Sequence, residues 1–571
     1  MAVFFNGRLI VSPTTASVVN DDAMRNQNLS VGNVVALVGK AAAGAPKTAL
    51  RFGSPQEAQK ALVSGELLDA VLAAFDPSNQ TGGPAQVVAL RVNPAVQATG
   101  VLKDGSAATV VDLQSTNYGL LQNQIKFKVE AASIDGVRMT VQYGQNYYSQ
   151  DNIARRAFSV VYTGAEATAT LTVNGTQAIL AAPAGTVVAT LALSEFPTVQ
   201  DLVDRINAVS GFAAEALDRS GTKPTLNGLD FVTAQSVKTT AFVVRGDLQA
   251  VIDWINGAGE GFLTAARAAG AGTKPAVVGW TFLTGGSDGT TTFSDWADAF
   301  EELQKVDVQW VTPISGDAAI HALADAHVAY MSSVGLKERR AIVGTEAGTS
   351  DADAIEAAKA LNSDRTSLVH LGHYNYDAAG KLVLFAPYLS AALLAGMFSG
   401  VNPGTPLTNK AIKVRGLERD LRNPTDTDPL INGGVLCLEN TDQGYKVVKS
   451  ISTWLVNDNY NRVEQSTGVA LDFVARNIRQ ALDVLRGTKA NPLALSRAVS
   501  IAESTLRELA REEPQGPGVI VGTPGTPAYR NIKASIEGDV LRVEFECSPV
   551  IPINYVLATI FAVPFSGAAA A

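Results

Sequence analysis

Gly285-Gly286-Ser287-Asp288-Gly289 satisfies the pattern G-x-S-x-G after the apolar run VVGWTFL. A nucleophile elbow places a serine at the end of such a strand, and His370 or His373 could serve as its base in the chain order Ser, then His. An elbow, however, runs straight into its helix to hold the serine in a tight turn. Here GTTTF intervenes, and the next helical pattern starts only near Ser294. A Gly-rich surface loop is therefore the expected reading, with an α/β serine hydrolase using Ser287 as the alternative.

Two other patterns could carry chemistry. Residues 39–48, GKAAAGAPKT, approach a phosphate-binding loop, but Ala45 and Pro46 separate Gly44 from Lys47 and Thr48. The lysine is displaced, and the proline removes one of the backbone N–H groups that would cradle phosphate. The four histidines are His321, His327, His370 and His373. His321 and His327 are six apart, which puts them on different faces of a helix. His370 and His373 have no cysteine or carboxylate set nearby that would complete a metal site. No catalytic residue, metal or cofactor is expected.

The surrounding chain has 571 residues, too many for one core, so several domains are expected. Charged residues make up only 17% against 46% hydrophobic, a balance that suits a subunit whose surface is covered by neighbours. The net charge of −9, without a basic block, argues against direct nucleic-acid binding. Cys437 and Cys547 belong to no C-x-x-C pair and read as reduced thiols. Arg8 interrupts what a signal peptide would need to be an apolar stretch, which suggests synthesis and retention in a cytoplasm. Residues 382–401 are uncharged and long enough to span a bilayer. Pro387 and the many small residues favour a buried helix instead, so no membrane insertion is expected.

Texture divides the chain into six parts. Residues 1–30 form an extended N-terminal arm, with Val3, Phe4, Phe5, Leu9, Ile10 and Val11 as strand-like material lacking local partners. Residues 31–100 read as the first part of a core α/β domain, 101–246 as a β-rich insertion, and 247–435 as an inserted α/β domain. Residues 436–548 are the C-terminal part of the core. In the helix there, Val474, Ile478, Leu482 and Leu485 share one face, leaving Asp472, Arg476, Arg479, Asp483 and Arg486 on a polar face free to bind. A hairpin about Gly538-Asp539 follows, with Leu541, Val543, Phe545 and Cys547 alternating against Arg542, Glu544 and Glu546. Residues 549–571 are a second extended arm carrying Ile553, Tyr555, Leu557, Ile560 and Phe561. Its prolines make it a poor central strand of its own sheet. Two apolar arms at opposite ends suggest strand exchange between subunits.

The order of these parts resembles contractile tail sheath proteins of the myophage type. The resemblance is carried by the Leu283-Thr-Gly-Gly-Ser-Asp-Gly289 loop, Leu430-Ile-Asn-Gly-Gly434, GYKVVKSISTW at 444–454, and Pro552-Ile-Asn-Tyr-Val556. It implies a multidomain α/β and α+β fold: a discontinuous core domain from both chain ends, extended terminal arms, an inserted α/β domain and an inserted β-rich domain. It also implies a non-enzymatic subunit that polymerises helically around an inner tail tube and contracts to drive that tube through the host envelope for genome delivery. The implied partners are further copies of the chain, the tube protein, and baseplate and tail terminator proteins. The implied location is the virion tail, with assembly in the host cytoplasm. The polar face from Asp472 to Arg486 is the expected tube contact.

Overall fold

The computed structural model describes residues 3–5, 8–10, 34–258, 261–377 and 379–562. Its centre is a seven-stranded sheet in the order Val435–Leu436, Thr366–Val369, Arg340–Gly344, Trp310–Pro313, Val34–Gly39, Gln86–Arg91, Ala49–Phe52. All neighbours are parallel except the last, which runs antiparallel to Gln86–Arg91. Unbroken runs such as VVALVG belong in such a sheet because both of its faces are covered. Val35, Leu37, Val87 and Ala89 point into one core, with helices Glu66–Phe75 and Pro387–Gly400. Ala36, Val38, Val88 and Leu90 point into the other, with helices Phe293–Leu303, Ala318–Ser333 and Asp351–Leu361.

The bilayer-length stretch at 382–401 resolves into a strand, Leu382–Phe385, and the helix Pro387–Gly400, whose proline sits at the start where its missing N–H costs nothing. Every residue from Pro387 to Ser399 is buried. Trp310 stacks on Phe398 with ring centroids 4.4 Å apart, which fixes the helix against the middle of the sheet. Among the described residues no helix is long and apolar enough to cross a membrane.

The β-rich region is two units, one nested in the other. The first has a three-stranded and a four-stranded antiparallel sheet, and its core includes Phe127, Met139, Leu248, Val251 and Leu283. The second lies between Arg156 and Arg245 and has its own core around Phe158, Leu171, Leu202 and Val244. Its entry and exit are adjacent: the Gly246 N–H donates to the Arg155 carbonyl at 2.9 Å.

The mixed α/β, multi-sheet class agrees with the expectation, but the partition does not. Strand Val34–Gly39 lies directly beside Trp310–Pro313, so the 31–100 and 247–435 segments share one sheet and are not separate domains. The boundary at 246/247 also fails. Helix Asp247–Gly257 packs in the first β-rich core, and Val278–Phe282, read as α/β material, pairs antiparallel with Lys126–Ala131. Periodicity reveals that a strand exists; it carries no record of a parallel partner more than 270 residues away. Of the 436–548 segment, Leu436, Leu438 and Val447 do share a core with Val35, Leu37 and Val87, whereas the helices Gln465–Leu482 and Pro492–Leu509 and the hairpin Tyr529–Glu537/Val540–Cys547 build a second core of their own.

Candidate assembly surfaces

The Gly-rich loop after Val278–Phe282 is a fastening. Ser287 pairs through its backbone with Val96, the Val96 N–H donating to the Ser287 carbonyl at 2.8 Å. Asp288 Oδ1 accepts from Arg91 Nη2 at 2.7 Å and from the Leu120 N–H at 3.1 Å. The fully buried Arg91 also donates to the carbonyls of Gly44 and Tyr118. Burial depresses its pKa, and Asp288 opposes that depression. One guanidinium thus joins the central sheet, the 39–48 loop and the first β-rich unit. Gly119 is required at this seam, since a Cβ there would stand 2.4 Å from the Ala42 carbonyl oxygen and 2.6 Å from Asp288 Oδ1.

Neither alternative chemistry finds its geometry. The helix after the loop starts at Phe293, capped by Thr292 and Asp295, so no strand-to-helix elbow exists at Ser287. His370 Nε2 is 3.0 Å from Asp351 Oδ1, and His373 Nδ1 is 2.8 Å from Ser390 Oγ. Both rings are buried inside the α/β unit. In the 39–48 loop the N–H groups of Ala41 and Gly44 are spent on Asn93 and Asn117. Lys47 pairs with Asp295 and Asp298. Open α/β sheets bind ligands at the carboxyl ends of their strands. Here His370 beyond strand Thr366–Val369 is bonded to Asp351, while Thr312 Oγ1 and Thr345 Oγ1 are buried without a hydrogen-bond partner among the described residues. Among the described residues no group of His, Cys, Asp or Glu could hold a metal.

The helix Gln465–Leu482 covers the opposite end of the sheet. Val474 and Ile478 are buried as expected, but the polar face is not free. Asp472 accepts from Arg340 Nε at 2.9 Å and from both Nη atoms of Arg365 at 3.0 and 3.1 Å. Arg476 bonds Asp307 at 2.8 Å, and Arg479 bonds Glu338. Arg340 is buried, which lowers its pKa against the pull of Asp472. Gly468 lets the helix approach, because a Cβ there would stand 2.2 Å from Arg340 Nη2. Of the five residues read as one binding face, three are ion-paired with the sheet unit. Only Asp483 and Arg486, paired with each other, stand well exposed. The sequence could not show this, because a docked polar face and a solvated one have the same periodicity.

The hairpin at 529–547 turns at Gly538 and Asp539 in the expected register, Glu537 opposite Val540. One face packs on helix Pro492–Leu509 through Ile532, Val543 and Phe545. Among the described residues the hairpin is a sheet of two strands with both outer edges unpaired.

From it the chain continues as the C-terminal arm, whose root is tied down. The Val550 N–H donates to the Val519 carbonyl at 3.0 Å, and Thr467 Oγ1 donates to the Val550 carbonyl at 3.2 Å. Asn554 Nδ2 donates to Glu464 Oε1 at 2.8 Å, while Asn554 Oδ1 accepts from Thr408 Oγ1 at 3.1 Å. Lys449 lies over the Tyr555 ring. Beyond this clamp Leu557, Ile560 and Phe561 are at least 86% exposed, and Ile553 within it is 83% exposed. Glu464, Thr408 and Lys449 escaped the sequence reading. The one available signal was the Asn of Pro552-Ile-Asn-Tyr-Val556. Of the N-terminal arm, Val3–Phe5 and Arg8–Ile10 pair with each other as a short hairpin, so these residues do have a local partner. Val11 lies outside the described residues.

The class of fold is that of a sheath tail protein. The crystal structure of a sheath tail protein from Listeria innocua superposes with a TM-score of 0.56 at 14% identity, over 92% of this chain and 94% of that one. The chain is also similar over nearly its whole length to curated proteins named tail sheath protein. That of Bacillus phage SP01 is 29% identical, covering 99% of this chain and 98% of the relative. That of Staphylococcus phage Twort is 22% identical over 84% and 86%. No family model matches the chain. The resemblance drawn from the loop and terminal motifs is therefore borne out, and the role these relatives indicate is structural and not enzymatic.

Proposed function

We propose that this chain is the subunit of a contractile tail sheath. It polymerises helically around an inner tube and contracts by rigid-body rearrangement, driving the tube through a host envelope for genome delivery. The observation that carries this reading is a pair of complementary features on one subunit: an apolar arm held at its root and projecting, and a two-stranded hairpin with two open edges. Each is an aggregation hazard alone, whereas a neighbour's arm laid along a hairpin edge removes both. Such head-to-tail contact builds an open helix, while a self-complementary contact would stop at a dimer. Val3, Phe4, Phe5, Leu9, Ile10 and Val11 at one end, and Ile553, Tyr555, Leu557, Ile560 and Phe561 at the other, are the residues assigned to these contacts. Asp483 and Arg486 remain as the tube-facing pair.

In this reading the separately cored units move as bodies and the arms keep them linked, with stored free energy released by repacking instead of nucleotide hydrolysis. The partners are the tube, baseplate and tail terminator proteins, and the location is the virion tail after assembly in the host cytoplasm. Negative-stain electron microscopy of the full chain beside a version ending at Ser548 tests it. Hollow tubes from the first and dispersed subunits from the second are expected. Small closed oligomers from both would overturn it.

A further inference from the structure

A cleft of about 890 Å³ opens between helix Pro55–Leu62 and the tip of the hairpin formed by Val137–Tyr143 and Asn146–Ile153. Tyr143, Tyr147, Tyr148 and Phe262 line it. Three of these rings brace one another, with Phe262 centroids 5.6 Å from Tyr143 and 5.8 Å from Tyr148, and Trp254 backs Tyr148 at 5.3 Å. The wall is thus set before any ligand arrives. Tyr147 projects from the hairpin tip and is 70% exposed, which leaves its ring face open to a ligand.

The polar lining points the same way. Gln122 is only 3% exposed, yet among the described residues its carboxamide makes no hydrogen bond, and it faces the cleft. The Gln122 carboxamide is not sealed from solvent, so it presents a donor and an acceptor to whatever fills the cleft. At the rim the side-chain amides of Gln59 and Asn146 are likewise without internal hydrogen bonds among the described residues. Among the described residues Lys60 is the single charged one in the lining. An apolar peptide would leave three amides unpaired. A polyanion would find one cation. The cleft suits a ligand that offers hydroxyl groups to amides and flat C–H faces to aromatic rings.

We propose that this cleft binds a neutral oligosaccharide. The cleft lining is separate from the arms and hairpin of assembly, so it is tested on the full-length chain whether or not that chain has formed tubes. Isothermal titration with maltotriose and with a linear N-acetylglucosamine trimer is the first measurement, followed by a printed panel of neutral and acidic glycans. A neutral saccharide should bind, with Tyr147→Ala and Gln122→Ala each weakening it about tenfold. Tyr147→Ala should leave thermal unfolding unchanged, since its ring is mostly in solvent, and it decides the question if Gln122→Ala fails to fold. Absence of binding by every neutral glycan, capture of acidic glycans only, or an affinity that Tyr147→Ala leaves intact would overturn the proposal.

Discussion

Arg91 and Asp288, 197 residues apart in sequence, meet at 2.7 Å where the central sheet joins the first β-rich unit. The arginine is fully buried and the aspartate side chain 40% exposed, so the cost of losing the pair falls on the cation left behind. Asp288→Ala should lower unfolding stability by about 2 kcal/mol. Its neighbour Ser287→Ala should change it by no more than about 0.5 kcal/mol. Urea denaturation of the two variants separates a fastening from a catalytic loop.

Gly468→Ala tests the seam between the C-terminal helix and the sheet. The added methyl group would collide with the Arg340 guanidinium, which cannot move without leaving Asp472. A loss of about 1–3 kcal/mol is expected from overpacking. The exposed Arg486→Ala, by contrast, should be nearly neutral in the same denaturation series.

Asn554→Ala releases the arm from Glu464 and Thr408 while leaving its apolar residues in place. Subunit stability should fall by only about 1 kcal/mol, the worth of a typical hydrogen bond. Tubes should become fewer and shorter, because an unaimed arm pays more ordering entropy when it docks. Calorimetry read beside electron microscopy checks both halves. Full-length tubes at normal yield would show that the clamp does not direct the arm.

Acid should destabilise the subunit through two buried histidines. Burial and Arg339 lower His327 to about 3, and burial lowers His373 to about 4. Below the ordinary value of 6.5 the unfolded chain takes up protons that the folded one refuses. Their contribution is therefore present above that pH and lost as pH falls toward the folded values. Glu464 works oppositely. Burial raises its pKa against Lys449 and Asn554, so its contribution is full below 4.5 and lost as pH rises through the folded value. Chemical denaturation across pH 4 to 8 should show His327→Gln flattening the acid loss. In the same series Glu464→Gln should gain on the parent toward neutral pH.

Local patterns were legible wherever one residue's neighbours decide its fate. The capped start at Ser54, the run VVALVG and the alternation from Leu541 to Cys547 each appear where expected. What failed was partnership. Nothing in VVGWTFL distinguishes a central parallel strand from the edge of an antiparallel sheet. Nothing in the spacing of Asp472, Arg476 and Arg479 shows that Arg340, Arg365 and Glu338 will meet them. The arm was legible because its prolines and apolar residues deny it a local sheet. Its clamp was not, because Glu464 and Asn554 lie 90 residues apart.

The central sheet also sets a timetable for the ribosome. Val34–Gly39 is made early, but its neighbour Trp310–Pro313 emerges about 275 residues later. At roughly 5–20 residues per second, that strand waits about 15–55 s with one edge open, while both nested β units are synthesised and can close on local contacts. The hairpin and the C-terminal arm follow only after the sheet has sealed. A subunit therefore buries its own most adhesive sheet edge before it exposes the C-terminal hairpin and arm proposed to join it to others, although the N-terminal arm is made first.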